Sequence, residues 1–145
     1  MKSSQKEIII NHDAKDLYNI VIDIEKYPEF IPWCSNIIIT DNNDKLIIAD
    51  MYVNYKFFPT QKFTSKVFYN KKKLIINTNY MNGPLKDLKT EWIFKRINKS
   101  KTKVLFNINF EFEKLLHQKL AEIFFPLIEN TMIDSFKKRS DDLLN

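Results

Sequence analysis

The chain has 145 residues, and 23 Lys and Arg against 18 Asp and Glu give a formal net charge of +5. A single Gly excludes both the P-loop, which needs two glycines, and the dinucleotide-binding fingerprint, which needs three. Twelve Phe and six Tyr supply enough apolar area for a core, which argues against a disordered chain. No apolar run approaches the roughly 20 residues of a membrane-spanning helix. The start, Met1-Lys2-Ser3-Ser4-Gln5-Lys6, shows neither a secretory signal nor a transit peptide. One Cys forms no internal disulfide, so a reducing, cytoplasmic setting is expected. Cys34, His12 and His117 are too few and too scattered for a zinc site, and no Gly-x-Ser-x-Gly elbow occurs. The positive charge is almost wholly Lys, since Arg96 and Arg139 are the only arginines. Lys71-Lys72-Lys73, the Lys99/Lys101/Lys103 alternation and Lys137-Lys138-Arg139 therefore read first as turns and solvated faces. A weaker attraction to anionic lipid or ribosomal RNA is the second reading.

No linker or repeat divides the chain, which reads as one domain over residues 1–145. Glu7–Ile10 is a short first strand. Asp13 caps the helix that follows, with Leu17, Ile20 and Val21 at helical spacing. Asp23 caps a second, very short helix that is expected to end before Pro28, and Pro28 with Pro32 forces an extended, turning segment. Alternating segments separated by polar turns come next. They are Ser35–Thr40, then Lys45–Tyr55 with Ile47, Ala49, Met51, Val53 and Tyr55 on one face. In Phe57–Tyr69, Phe63, Val67 and Tyr69 share a face, and Leu74, Ile76, Thr78 and Tyr80 line one side of the next strand. Asn82-Gly83-Pro84 is the strongest turn signal and contains the one glycine. Leu88, Thr90, Trp92 and Phe94 alternate with charged residues, as do Val104, Phe106, Ile108, Phe110 and Phe112 with polar ones.

The tail changes period. From Lys114 to Leu144, residues such as Leu116, Leu120, Phe124, Met132 and Phe136 recur at three- and four-residue intervals, and Pro126 should kink or divide this helix. The class is α+β: one strand, two small helices, six further antiparallel strands, and a long helix that a twisted sheet with one apolar face curls around. Most inward aromatics are expected simply to fill the core. A curled sheet also leaves room for an apolar pocket. Its inward polar groups are Tyr55, Ser65, Thr78, Tyr80 and Thr90, with no carboxylate or His among them, so binding is favoured over turnover. His12 is expected to be exposed, His117 a solvated helix residue, and Cys34 a small buried hydrophobe.

Val21-Ile22-Asp23-Ile24-Glu25-Lys26-Tyr27-Pro28-Glu29-Phe30-Ile31-Pro32-Trp33-Cys34 resembles the opening motif, V-x-D-x-x-x-Y-P-x-F-x-P-x-C, of the coenzyme Q-binding START-domain family. Phe63-Thr64-Ser65-Lys66-Val67 is similar to its F-T-S-[KR]-V strand. Asn82-Gly83-Pro84-Leu85-Lys86-Asp87-Leu88 with Trp92-Ile93-Phe94 is similar to its D-G-P-F-x-x-L…W-x-F block. Phe110-Glu111-Phe112 and Met132–Arg139 complete the series in order. Asn82 stands where the family usually has Asp, Leu85 where it has Phe, and Lys89-Thr90-Glu91 lacks the usual small residues.

The resemblance implies the helix-grip (START-like) fold, with a seven-stranded antiparallel sheet wrapped around a long C-terminal helix and a hydrophobic tunnel between them. It implies a non-enzymatic binder of ubiquinone or a similar isoprenoid lipid that supports respiratory electron transport, with no cofactor other than that ligand. Peripheral contact with the inner membrane goes with that role. The alternative is a ribosome-association toxin acting on the large ribosomal subunit; no DNA partner is expected. Trp33 before Cys34 leans towards the quinone-binding kind. A cyclase-type enzyme of the same superfamily is a third reading. The residues expected to line the tunnel are Trp33, Met51, Phe63, Trp92, Phe94, Phe110, Phe124 and Met132, with Tyr55 or Tyr80 placed to hydrogen-bond a quinone carbonyl.

Overall fold

The alternating segments form seven strands, described here from a computed structural model that covers residues 2–55, 58–111, 122 and 128–145. In chain order the elements are β1 (Lys2–Ile10), α1 (Ala14–Ile22), a 3₁₀ turn (Ile24–Glu29), β2 (Cys34–Asn42), β3 (Leu46–Tyr55) and β4 (Phe58–Asn70). There follow β5 (Ile75–Asn82), β6 (Asp87–Asn98), β7 (Lys101–Glu111), a π-helical turn (Ile128–Met132) and α2 (Ile133–Leu144). The strands make one antiparallel sheet in the order β1-β7-β6-β5-β4-β3-β2, so the first strand closes one edge against the last. This is the expected seven-stranded sheet with two short helical elements after β1 and a helix at the C-terminal end. The rest of the expected Lys114–Leu144 helix, with the Pro126 kink, His117 and Phe124, lies outside the described residues.

One face of the sheet is apolar in every strand from β2 to β7, as the alternation predicts. Ile47, Ala49 and Val53 are buried on β3, Val67 on β4, Ile76 on β5, Trp92 and Phe94 on β6, and Val104, Phe106, Ile108 and Phe110 on β7. Register shifts interrupt β2 at Cys34/Asn36 and Ile39/Asp41, β3 near Tyr55, the β4–β5 pair at Thr64/Ser65 and β6 at Arg96/Asn98. Each such irregularity raises the local twist, and together they curl the sheet.

Two helices and the 3₁₀ turn cover this face. Asp13 starts α1 by accepting from the Lys15 N–H at 3.3 Å, as expected of a capping Asp. Its two oxygens also take the Arg96 guanidinium, at 2.8 and 3.3 Å, which ties the helix start to β6. That hydrogen-bonded cation holds the Asp13 carboxyl below the usual carboxylate range. On α2, Phe136 sits edge-on to Trp92 at 5.0 Å, Phe30 at 5.1 Å and Tyr27 at 5.2 Å, joining helix, 3₁₀ turn and sheet in one aromatic cluster.

Three local expectations change. β1 begins at Lys2 rather than Glu7, because Ser3, Ser4 and Gln5 pair in register with Asn109, Ile108 and Asn107; ladder hydrogen bonds extend the edge where burial does not. The second short helix is a 3₁₀ turn that includes Pro28 rather than stopping before it, and Asp23 serves it through its carbonyl, which accepts from the Lys26 N–H, not through its side chain. His12 is buried, not exposed. Its Nε2 lies 2.8 Å from Asp141 Oδ1 on α2, and its carbonyl accepts from the fully buried Thr102 hydroxyl at 2.7 Å. The sequence separation of 129 residues between His12 and Asp141 explains why no local pattern announced the contact.

Gly83 occupies the β5–β6 turn with φ at +152°, a region that side chains disfavour. A Cβ there would stand 2.8 Å from the Tyr80 hydroxyl and 2.9 Å from the Lys62 carbonyl. Gly83→Val should therefore destabilise the fold by about 1–3 kcal/mol, read as a shift in the denaturation midpoint. An unchanged midpoint would contradict the strained geometry of this turn.

Candidate functional site

The covering elements leave a cavity of about 120 Å³ against the inner face of the sheet. Its sheet wall runs from Ile37 on β2 through Met51 on β3, Phe63 on β4, Ile76 on β5 and Trp92 on β6 to Phe106 on β7. These positions share a face by period-2 alternation, and Ile37, Met51 and Phe63 stand directly opposite one another. Tyr27 and Ile24 of the 3₁₀ turn, Trp33 and Met132 of the π-helical turn supply the opposite side. The Trp33 indole N–H donates to Thr131 Oγ1 at 2.8 Å, so the corner before β2 and the π-helical turn are pinned together beside the cavity.

Polar groups are few. Tyr27 is buried, its hydroxyl donates to the Val21 carbonyl, and burial pushes its pKa far above the ordinary tyrosine value. Ser65, Thr78 and Thr90 line the wall on β4, β5 and β6. No Asp, Glu, Lys, Arg or His is among the described lining residues. Cys34 lies just outside this lining; it is buried as expected, and desolvation pushes its thiol up to about 11, which leaves it protonated and a poor nucleophile near neutral pH.

Of the residues expected to line a tunnel, Trp33, Met51, Phe63, Trp92 and Met132 meet at the cavity. Three do not. Phe94 lies farther along β6, with Tyr18 of α1 edge-on at 6.1 Å, because its position on the curled sheet faces α1 rather than the gap. Phe110 is buried directly opposite the lining residue Leu88 and is not itself among the described lining residues. Tyr80 has the expected strand phase, but its hydroxyl is engaged by the following turn: it donates to the Leu85 carbonyl and accepts from the Leu85 N–H, each at 2.9 Å. The Tyr55 side chain and Phe124 lie outside what is described. Ile24, Tyr27, Ile37 and Leu88 are lining residues that the sequence reading did not single out. Ile37 and Leu88 follow from strand phase alone, whereas Ile24 and Tyr27 depend on how the 3₁₀ turn packs.

A curled seven-stranded antiparallel sheet holding a C-terminal helix over an apolar cavity is the helix-grip architecture of the START superfamily. The chain belongs to the polyketide cyclase/dehydrase and lipid transport family, whose model matches residues 10–137. Among curated relatives, the ribosome association toxin RatA of Rickettsia prowazekii is 29% identical over 147 residues, covering 99% of each chain. The mitochondrial coenzyme Q-binding protein COQ10 of Drosophila melanogaster is 29% identical over 142 residues, covering 93% of this chain and 58% of that protein. Among solved structures, the Zhui aromatase/cyclase from Streptomyces sp. R1128 superposes with a TM-score of 0.87 over 99% of this chain and 96% of that one, at 11% identity, a likeness of fold alone. The resemblance read from the sequence motifs thus holds: relatives of both named kinds are present. Among the described residues no helix is long and apolar enough to cross a membrane.

Proposed function

We propose that this protein binds a ubiquinone-like isoprenoid lipid, holding its ring between sheet and C-terminal helix, without transforming it chemically. The observation that carries this reading is the apolar cavity itself, walled by Trp33, Met51, Phe63, Trp92 and Met132. Burial of apolar surface supplies affinity at about 25 cal/mol per Å² before ordering costs are subtracted. The absence of a carboxylate or His among the described lining residues favours binding over proton-transfer chemistry. The similarity to a protein named for coenzyme Q binding supports the choice of ligand. At about 120 Å³ the cavity is smaller than the roughly 300–1,000 Å³ usual for whole ligands, so the ring is the part enclosed and the tail lies beyond it. Loading such a ligand calls for contact with a membrane surface, to which a Lys-rich protein is attracted electrostatically. Organic extraction of the purified protein followed by mass analysis should release a quinone or related prenyl lipid. Repeated recovery of no lipid, with no uptake of added ubiquinone, would overturn the proposal.

A second reading is a ribosome-binding modulator. The end-to-end similarity to a ribosome association toxin favours it, as does the exposed Lys71-Lys72-Lys73 turn between β4 and β5. This reading expects cosedimentation with the large ribosomal subunit that weakens with salt and on changing Lys71, Lys72 and Lys73 to Glu. Cosedimentation indifferent to both would contradict it.

A further inference from the structure

The cavity holds a row of hydroxyls. Thr78 on β5 and Thr90 on β6 are directly opposed, and Ser65 on β4 is one diagonal step from Thr78, since Val67 pairs with Thr78 and Ser65 with Tyr80. Directly opposed Cβ atoms lie about 4.5–5.5 Å apart and diagonal ones about 7–8 Å, so the row is about as wide as one substituted ring. The other polar groups on the wall are partly committed: the Tyr27 hydroxyl is given to Val21 and the Trp33 N–H to Thr131. The hydroxyls of Ser65, Thr78 and Thr90 have no hydrogen-bond partner among the described residues, although each offers one donor and two acceptor sites. An apolar pocket does not by itself require hydroxyls on three adjacent strands, and these three residues are half-buried, so their hydroxyls stay accessible rather than sealed in the core.

From this we infer that Ser65, Thr78 and Thr90 form a head-group subsite that selects a neutral, planar ring bearing carbonyl or ether oxygens. The inference rests on the lipid-binding reading above and names what the site recognises. The void of about 120 Å³ is somewhat smaller than the roughly 150 Å³ that accommodates benzene in an engineered apolar cavity, so a substituted ring enters as the flexible wall side chains of Met51 and Met132 give way. Charge agrees as well. No cationic residue is among the described lining residues, so a carboxylate head would enter without a counter-charge, whereas a quinone carbonyl needs only a donor. The subsite therefore rejects fatty-acid-type ligands of the same outline.

The test uses the full chain and three one-ring probes in calorimetric titration. They are a fully substituted, tail-less 1,4-benzoquinone with no open ring position for thiol addition, 1,2,4,5-tetramethylbenzene, and 2,4,6-trimethylbenzoate. The quinone should bind roughly tenfold or more tightly than either of the others. The variant combining Ser65→Ala, Thr78→Val and Thr90→Val, which keeps shape while removing the hydroxyls, should bind the hydrocarbon as before and lose the preference for the quinone. A variant that keeps the preference overturns the inference. So does an unmodified protein that binds quinone and hydrocarbon equally, and that result leaves the lipid-binding reading intact. Binding of none of the three probes by the unmodified protein overturns both.

Discussion

An antiparallel sheet with one apolar face has to cover that face, and this requirement organises the rest of the molecule. α1, the 3₁₀ turn and α2 share that covering, and their buried residues join those of the sheet in one core. Three contacts of different kinds hold the C-terminal elements there. Phe136 enters the aromatic cluster of Trp92, Tyr27 and Phe30; Trp33 donates to Thr131; and the buried His12 meets Asp141. Close-packed interiors have few voids larger than a water molecule. The gap bounded by Trp33, Met132 and the sheet is therefore the feature that a purely structural account of the fold leaves over.

That gap is chemically quiet but not featureless. Its described lining is apolar and uncharged, the nearby Cys34 thiol is kept protonated by burial, and Tyr27 spends its hydroxyl on a backbone carbonyl. Discrimination in such a site comes from shape and from a few neutral hydrogen bonds, because a buried unpaired charge is too unfavourable to hold there. Positive charge is placed elsewhere, as in the exposed Lys71-Lys72-Lys73 turn, where it can meet an anionic surface without entering the cavity. Interior and exterior thus differ in chemistry, one apolar and uncharged in its described lining and the other Lys-rich. This division accommodates a family whose relatives carry names as unlike as coenzyme Q-binding protein and ribosome association toxin.

Much of this was legible in the sequence, because a strand buried on one face repeats every two residues. Val104, Phe106, Ile108 and Phe110 announced β7, and Ile47, Ala49, Met51 and Val53 announced the inner face of β3, including the cavity residue Met51. Strand phase says which face a side chain takes, not how far along a curled sheet the helix reaches. Phe94 therefore had the right phase but packs against Tyr18 of α1, and Phe110 stands beside the gap, opposite the lining residue Leu88, without being among its described lining. Tyr80 shows the same limit at the strand end, where the Gly83 turn captures its hydroxyl through Leu85. The His12–Asp141 contact, the packing of Tyr27 and the polar start of β1 rest on distant partners, so no local pattern encoded them. The hydroxyls of Ser65, Thr78 and Thr90 were visible as inward polar positions, but only the register of β4, β5 and β6 makes them neighbours.

In the proposed function the cavity between sheet and C-terminal helix takes up a quinone ring. Both tryptophans of the chain, Trp33 and Trp92, stand on its wall, so their emission reports on what enters. Titration with a short-chain ubiquinone should quench that emission to saturation at a fixed stoichiometry, and Trp33→Phe and Trp92→Phe should each retain part of the quenching. Emission that stays unchanged, or that falls linearly without saturation as random collision would produce, would contradict the account.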